Sequence, residues 1–173
     1  IVLGICGIVG LIIMAPYRMA RIISFINPWT DPLGSGFQII QSLYAISPSG
    51  LFGRGLGNSI QKHFYLPEPQ TDFIFAIISE ELGILGIVIL AILFLVLFSS
   101  SLKISLVSKD LFGKYLSFGL IIGIMLQTAL NISVVIGLVP VTGVTLPFIS
   151  YGGSSLLVSM VSVGIILNIS NEK

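Results

Sequence analysis

The sequence predicts an all-α, polytopic membrane protein. Of its 173 residues, 55% are hydrophobic and 9% charged, against roughly a quarter charged in soluble proteins. The apolar residues also fall in stretches close to the ~20 residues that a helix needs to cross a bilayer core. Eight Lys/Arg against seven Asp/Glu give a formal net charge of +1, so no basic field exists to hold a nucleic-acid backbone. Cys6 is the single cysteine, which excludes an internal disulfide and a paired-cysteine metal site.

Four spans are expected, at about 1–15, 82–101, 116–138 and 154–169. The chain opens at Ile1 within an apolar run, without a methionine or a basic leader region, so it is expected to be a piece of a longer protein rather than to begin with a signal peptide. Residues 16–71, rich in Pro, Gly, Ser and aromatics, are too polar for lipid and form a water-facing loop. Lys103, Lys109 and Lys114 crowd the short connection 102–115, which charge bias places in the cytoplasm. That puts 16–71 and the uncharged turn 139–150 outside, with Arg18 and Arg21 as the opposing charges.

Small or polar stripes at helical spacing mark packing faces, because helices in lipid associate by close approach and hydrogen bonds. Gly4, Gly7 and Gly10 form one, Ser155, Ser159 and Ser162 another. Gly119, Gly123, Gln127 and Asn131 form a third, whose two amides either satisfy each other's neighbours in packed helices or line a wet cavity. Within the long loop, residues 37–46 alternate a Gln38, Gln41, Ser42 face with a Phe37, Ile40, Tyr44 face, which suits a short helix lying on the membrane surface. Ser47-Pro48-Ser49-Gly50 ends it.

Asp72 follows Thr71, a residue suited to capping, and opens the apolar run 73–78, so its carboxylate is expected at a helix start, where the dipole favours the ionised form. Such a group serves as an acidic first-turn residue, a general base or a ligand for a divalent cation. Glu80 and Glu81 interrupt the run further on. On one continuous helix from 72 to 101, Glu80 lies nearer the Asp72 face and takes a supporting role, while Glu81 points away and snorkels. Arg18 and Arg21, three apart, share a face suited to a diphosphate or a lipid headgroup. His63 has no second ligand at metal spacing. Gly53, Gly55 and Gly57 lack the GxxxxGK[ST] phosphate-loop pattern and read as tight turns.

Two stretches carry a family likeness. Tyr65-Leu66-Pro67-Glu68-Pro69-Gln70-Thr71-Asp72-Phe73-Ile74-Phe75-Ala76, followed by Glu80-Glu81-Leu82-Gly83, and Pro140-Val141-Thr142-Gly143-Val144-Thr145-Leu146-Pro147-Phe148-Ile149-Ser150-Tyr151-Gly152-Gly153-Ser154-Ser155 resemble the SEDS family (FtsW, RodA, SpoVE), with wording closer to the FtsW/SpoVE branch. Arg21, Asn27-Pro28-Trp29, Asp31-Pro32, Gln38, Gln41-Ser42 and Gly53-Arg54-Gly55-Leu56-Gly57 resemble its large extracellular loop. Some division members carry a carboxylate where Phe64 stands and a lysine where Thr142 stands.

The resemblance implies the last four helices of a ten-helix, GT-C-like fold in the bacterial cytoplasmic membrane, with an extracellular loop containing short helices. It implies an inverting peptidoglycan glycosyltransferase that polymerises lipid II during division, elongation or sporulation, beside a class B penicillin-binding protein and other divisome or elongasome membrane proteins. The family's essential aspartate falls on Asp72, here the expected general base, with Thr71 and Glu80 in support. Arg18, Arg21, Arg54, Lys62, Gln127, Asn131 and Ser150 are the candidate substrate-binding residues, and a divalent cation, Mg or Mn, is a candidate cofactor. A lipid II flippase working through Gln127 and Asn131, or a noncatalytic scaffold, are the rival readings.

Overall fold

The structure, a computed structural model, describes residues 16–62 and 70–171. The first expected span, the Gly4 stripe, Cys6, His63 and the 63–69 part of the aspartate motif lie outside the described residues, as does the side chain of Arg18. Five α-helices are described: α1 (Pro16–Ile26), α2 (Phe37–Ile46), α3 (Ile74–Val107), α4 (Leu111–Val135) and α5 (Gly153–Asn171), with a single 3-10 turn at Pro28–Thr30. Among the described residues there is no strand, and α3, α4 and α5 are long and apolar enough to cross a membrane. The protein is a multi-pass, all-helical membrane protein.

Helices α3 and α4 form an antiparallel hairpin closed by three residues. Asp110 caps α4 by accepting from the Gly113 N–H at 2.8 Å, and Ser105 ties the hairpin by donating to the Lys114 carbonyl. At its far end α4 stops at Val135 rather than near 138. Gly137 adopts φ +75°, and the Gly137 and Leu138 N–H groups donate back to the Val134 and Ser133 carbonyls, the Schellman arrangement that glycine permits. Helix α5 packs along α4. Its serines Ser159 and Ser162 bond within α5, to the Ser155 and Val158 carbonyls. Gly119 and Gly123 face open space among the described residues, so no contact is made there by the expected glycine stripe.

The core lies at the end of the bundle where α2, the start of α3, the end of α4 and loop 136–152 meet. Phe73, Phe75, Ala76, Val134, Val135, Val141, Leu146, Ile39 and Ala45 form it, and burying a side chain such as Phe73 contributes about 1.5–3 kcal/mol. Helix α2 has the expected extent, but its buried face is not the expected one, since Ser42 is buried and Tyr44 exposed. Ile39, Ile40, Ser42 and Ala45 are buried, and the Ser42 hydroxyl reaches the Val135 carbonyl at 3.0 Å. Its neighbours α3 and α4 cover that buried face.

Helix α3 is not the uninterrupted rod expected from 72 to 101. Gly83 breaks it with φ 66° and ψ −159°. A helix break strands carbonyls on one side and N–H groups on the other, and in a membrane protein these must find partners within the protein. The glycine-rich loop supplies them. The Arg54 and Gly55 N–H groups donate to the Glu80 and Glu81 carbonyls, both at 2.9 Å, while the Ile84 and Leu85 N–H groups donate to the Gly50 and Leu51 carbonyls at 3.0 and 3.1 Å. So close an approach needs glycine on both sides, since a Cβ on Gly53 would collide with the Glu81 backbone and one on Gly83 with the Gly53 N–H.

Replacing Gly53 (φ +69°) with alanine should therefore lower stability by more than about 3 kcal/mol, at the severe end for one substitution. Gly50→Ala has open space around the new methyl and should cost only the left-handed backbone penalty of about 1–2 kcal/mol. Thermal unfolding of the two variants in detergent measures the difference.

Candidate active site

Asp72 stands two residues before the first residue of α3. Phe73 occupies the N-cap position, with no side-chain cap, so Thr71 is not the cap expected of it. Instead, three consecutive carbonyls of this segment are each held by the other side of the molecule. The Tyr151 N–H donates to Gln70 at 2.7 Å, the Ser150 hydroxyl to Thr71 at 2.6 Å, and the Asn131 amide to Asp72 at 2.8 Å. Ser150 also accepts from the Leu146 N–H at 2.7 Å, closing the turn that carries it.

Asn131 is fully buried. Its Nδ2 also donates to the Val144 carbonyl at 2.7 Å. Both partners are carbonyl oxygens, so the nitrogen must face them, and both of its hydrogens are used. One helical turn earlier, Gln127 donates to the Thr145 carbonyl at 2.9 Å, and the Thr145 hydroxyl donates to Ser155 at 2.8 Å. The two amides of the α4 stripe thus bind neighbouring carbonyls of the same loop. They differ in setting: Asn131 is sealed in, whereas Gln127 lines a cavity of about 310 Å³ with Gly143, Val144, Thr145, Ser154, Ser155 and Val158.

Gly143 joins that cavity to the carboxylate. It has φ +73°, and a Cβ built on it would lie 3.5 Å from Asp72 Oδ2. The half-buried Asp72 side chain thus lies beside one of the residues that line the hollow, whose walls include amide, hydroxyl and backbone groups. Phe148, in the same loop, holds φ 65°, a conformation that costs a non-glycine residue of order 1–3 kcal/mol and persists where the surroundings impose it. Here Leu146 and Pro147, both buried, and the bonded Ser150 impose it.

The remaining candidates sort into two groups. Arg21 is at this site: its Nη1 donates to the Val141 carbonyl at 2.9 Å, two residues from Gly143. Arg54, Lys62, Glu80 and Glu81 are gathered instead at the Gly83 break. The buried Glu80 carboxylate accepts from the Ser59 hydroxyl and from the Ile60 and Gln61 N–H groups, and pairs with Arg54 at 3.5 Å. Glu81 pairs with Lys62 at 2.8 Å rather than snorkelling into solvent. Sequence reading missed this cluster because its acids and bases lie some twenty residues apart. Its signal was an acidic pair against a glycine, opposite a Gly-Arg-Gly. Among the described residues no three metal-ligating side chains converge. Asp72 supplies one carboxylate, the least with which a magnesium-type ion is held beside substrate phosphates.

The cell cycle protein family model that describes FtsW, RodA and SpoVE matches residues 1–173. The chain belongs to the FtsW/RodA/SpoVE family. It is similar to the stage V sporulation protein E of Bacillus subtilis (strain 168), at 60% identity over 97% of this chain and 46% of that protein. It is also similar to the probable peptidoglycan glycosyltransferase FtsW of Geobacter sp. (strain M18), at 48% identity over 96% of this chain and 45% of that protein. The chain thus spans about half the length of the curated relatives it matches. Among solved structures, it superposes on a chain of a peptidoglycan synthase complex that coordinates polymerization and crosslinking, with a TM-score of 0.71, 30% identity and coverage of 99% of this chain and 48% of that one. The rod shape determining protein RodA of Thermus thermophilus shares the fold, with a TM-score of 0.60 at 24% identity over 95% of this chain and 53% of that one.

Within this SEDS scaffold the amide of Asn131 should dominate local stability. Asn131→Leu keeps the volume but leaves the Asp72 and Val144 carbonyls buried and unpaired, at about 1–3 kcal/mol each. Gln127→Leu, beside an open cavity where water replaces the amide, should cost about 1 kcal/mol. Chemical denaturation of both variants checks the order.

Proposed function

We propose that the intact protein is a peptidoglycan glycosyltransferase of the outer face of the bacterial cytoplasmic membrane, polymerising lipid II, with Asp72 as general base. In this reading the chain contributes the last four helices of a ten-helix fold. Segment 16–71 and turn 139–150 face outward, and connection 102–115 faces the cytoplasm. The observation that carries it is the carboxylate of Asp72 beside Gly143, a residue that lines the hollow, with the backbone on both sides of the contact held by the Asn131 amide. A base works only if it is held where the proton leaves, and fixed backbone supplies that preorganisation.

The reaction follows from that placement. The 4-hydroxyl of one N-acetylglucosamine attacks the anomeric carbon of the other sugar; the new C–O bond forms as the bond to the lipid diphosphate breaks, with inversion. The hydroxyl proton passes to Asp72, and the departing polyprenyl diphosphate carries away the bonding electron pair. Gln127, Thr145 and Ser155 offer amide and hydroxyl groups to sugar hydroxyls in the hollow. Asn131 and Ser150 act through the backbone, by holding the aspartate in place. The family relatives named as glycosyltransferases, and the solved neighbour that couples polymerization to crosslinking, support this reading and a class B penicillin-binding protein as partner.

Asp72→Ala in the intact enzyme should cut glycan-strand formation from purified lipid II by about 10²–10⁴-fold, the contribution of a general base, with thermal stability unchanged. Gel analysis of the products measures it. Near-normal synthesis by a folded Asp72→Ala enzyme would refute the assignment.

A further inference from the structure

Four arginines and lysines in segment 16–71 carry charge suited to a diphosphate, and the fold separates those whose side chains it describes. Arg54 and Lys62 are paired with Glu80 and Glu81 at the helix break. Arg21 has different company: the Val141 carbonyl, and the ring of Tyr17, over which its guanidinium carbon lies 5.9 Å from the centroid. Tyr17, Arg21, Ser35, Gln38 and Val141 line a cavity of about 290 Å³, near the lower end of small-molecule sites.

We propose that this cavity is the subsite for the diphosphate of the polyprenyl-linked sugar donor, with Arg21 as its principal cation. The inference rests on the reading of Asp72 as the base and assigns the opposite side of the same reaction. A guanidinium carries five N–H donors in a fixed fork, and the bond to Val141 uses one while setting the plane of the rest. The Tyr17 ring supports the cation from one side. Asp31, the acid of the adjoining turn, is directed into that turn, accepting from the Ser35 N–H at 2.8 Å and the Ser35 hydroxyl at 3.2 Å. The half-buried Gln38 adds a neutral amide donor.

Position along the loop adds to this. The Asp72 carboxylate adjoins Gly143, and Arg21 is bonded to Val141; these two loop residues are at most about 7 Å apart between α-carbons. In an inverting displacement the base and the leaving group lie on opposite faces of the anomeric carbon. A carboxylate at the Gly143 end of the Val141-Thr142-Gly143 stretch and a guanidinium at its Val141 end give the proton one group and the developing negative charge of the departing diphosphate the other.

The test is binding to the intact enzyme in lipid nanodiscs, with farnesyl diphosphate and farnesyl monophosphate as probes and equilibrium dialysis as the readout. The wild type should bind the diphosphate at least tenfold more tightly than the monophosphate. Arg21→Gln should abolish that ratio, and Arg21→Lys should retain part of it. Asp72→Asn, which removes a negative charge from the same loop, should not weaken diphosphate binding, so failure of the base assignment is read from synthesis and failure of this one from binding. Gln38→Ala, which anchors nothing, should weaken diphosphate binding about threefold without altering thermal stability, and serves if Arg21→Gln does not fold. The proposal is overturned if a folded Arg21→Gln enzyme binds the diphosphate within twofold of wild type, or if Gln38→Ala leaves binding unchanged when Arg21→Gln does not fold. It is equally overturned if phosphatidylglycerol in the nanodisc displaces farnesyl diphosphate, which would make the cavity a general headgroup anchor.

Discussion

The carboxamide of Asn131 is the contact on which the site depends. It sits on a membrane helix, where a polar side chain without partners would be costly, and its amide nitrogen offsets that cost by binding one carbonyl from each of two segments. One belongs to Asp72 and the other to Val144. The carboxylate's position against Gly143 is therefore set by a group that need not touch substrate. Ser150 and Tyr151 extend the same arrangement to the two preceding carbonyls.

A second constraint acts at the Gly83 break in α3. The break in α3 opens four backbone groups, and the loop at 50–55 closes all four. Glu80 and Glu81, next to the break, then use their carboxylates to fix residues 59–62. The charged residues of this region thus act on the backbone of their own protein. This is the economical arrangement near a bilayer, where a buried charge needs a partner and hydrogen bonds.

Much of this was legible in composition and local pattern, because length and apolarity alone report a helix that crosses lipid. The extent of α2 followed from the two-faced pattern over 37–46 and from Ser47-Pro48-Ser49-Gly50 after it. The stripe from Gly119 to Asn131 marked Gln127 and Asn131 as special, since amides recurring every fourth residue share a face. Their partners were not legible: a carbonyl 59 residues away leaves no trace in side-chain type. The break at Gly83 was missed for a related reason. A glycine within an apolar helical run ordinarily fits the helix, and only the docking of Gly53 against it reveals the irregular backbone. Which face of α2 packs on the protein was not legible, because the partners that bury Ser42 and leave Tyr44 exposed lie far along the chain.

The pairing of Gly53 with Gly83 makes the loop a measured insert rather than a tether. Leu51, Phe52 and Leu56 are exposed and leave room for other side chains. Adding or deleting one residue between 50 and 55 would instead shift every donor past its carbonyl. The segment is thus free in chemistry and fixed in length, the reverse of what a surface loop usually permits.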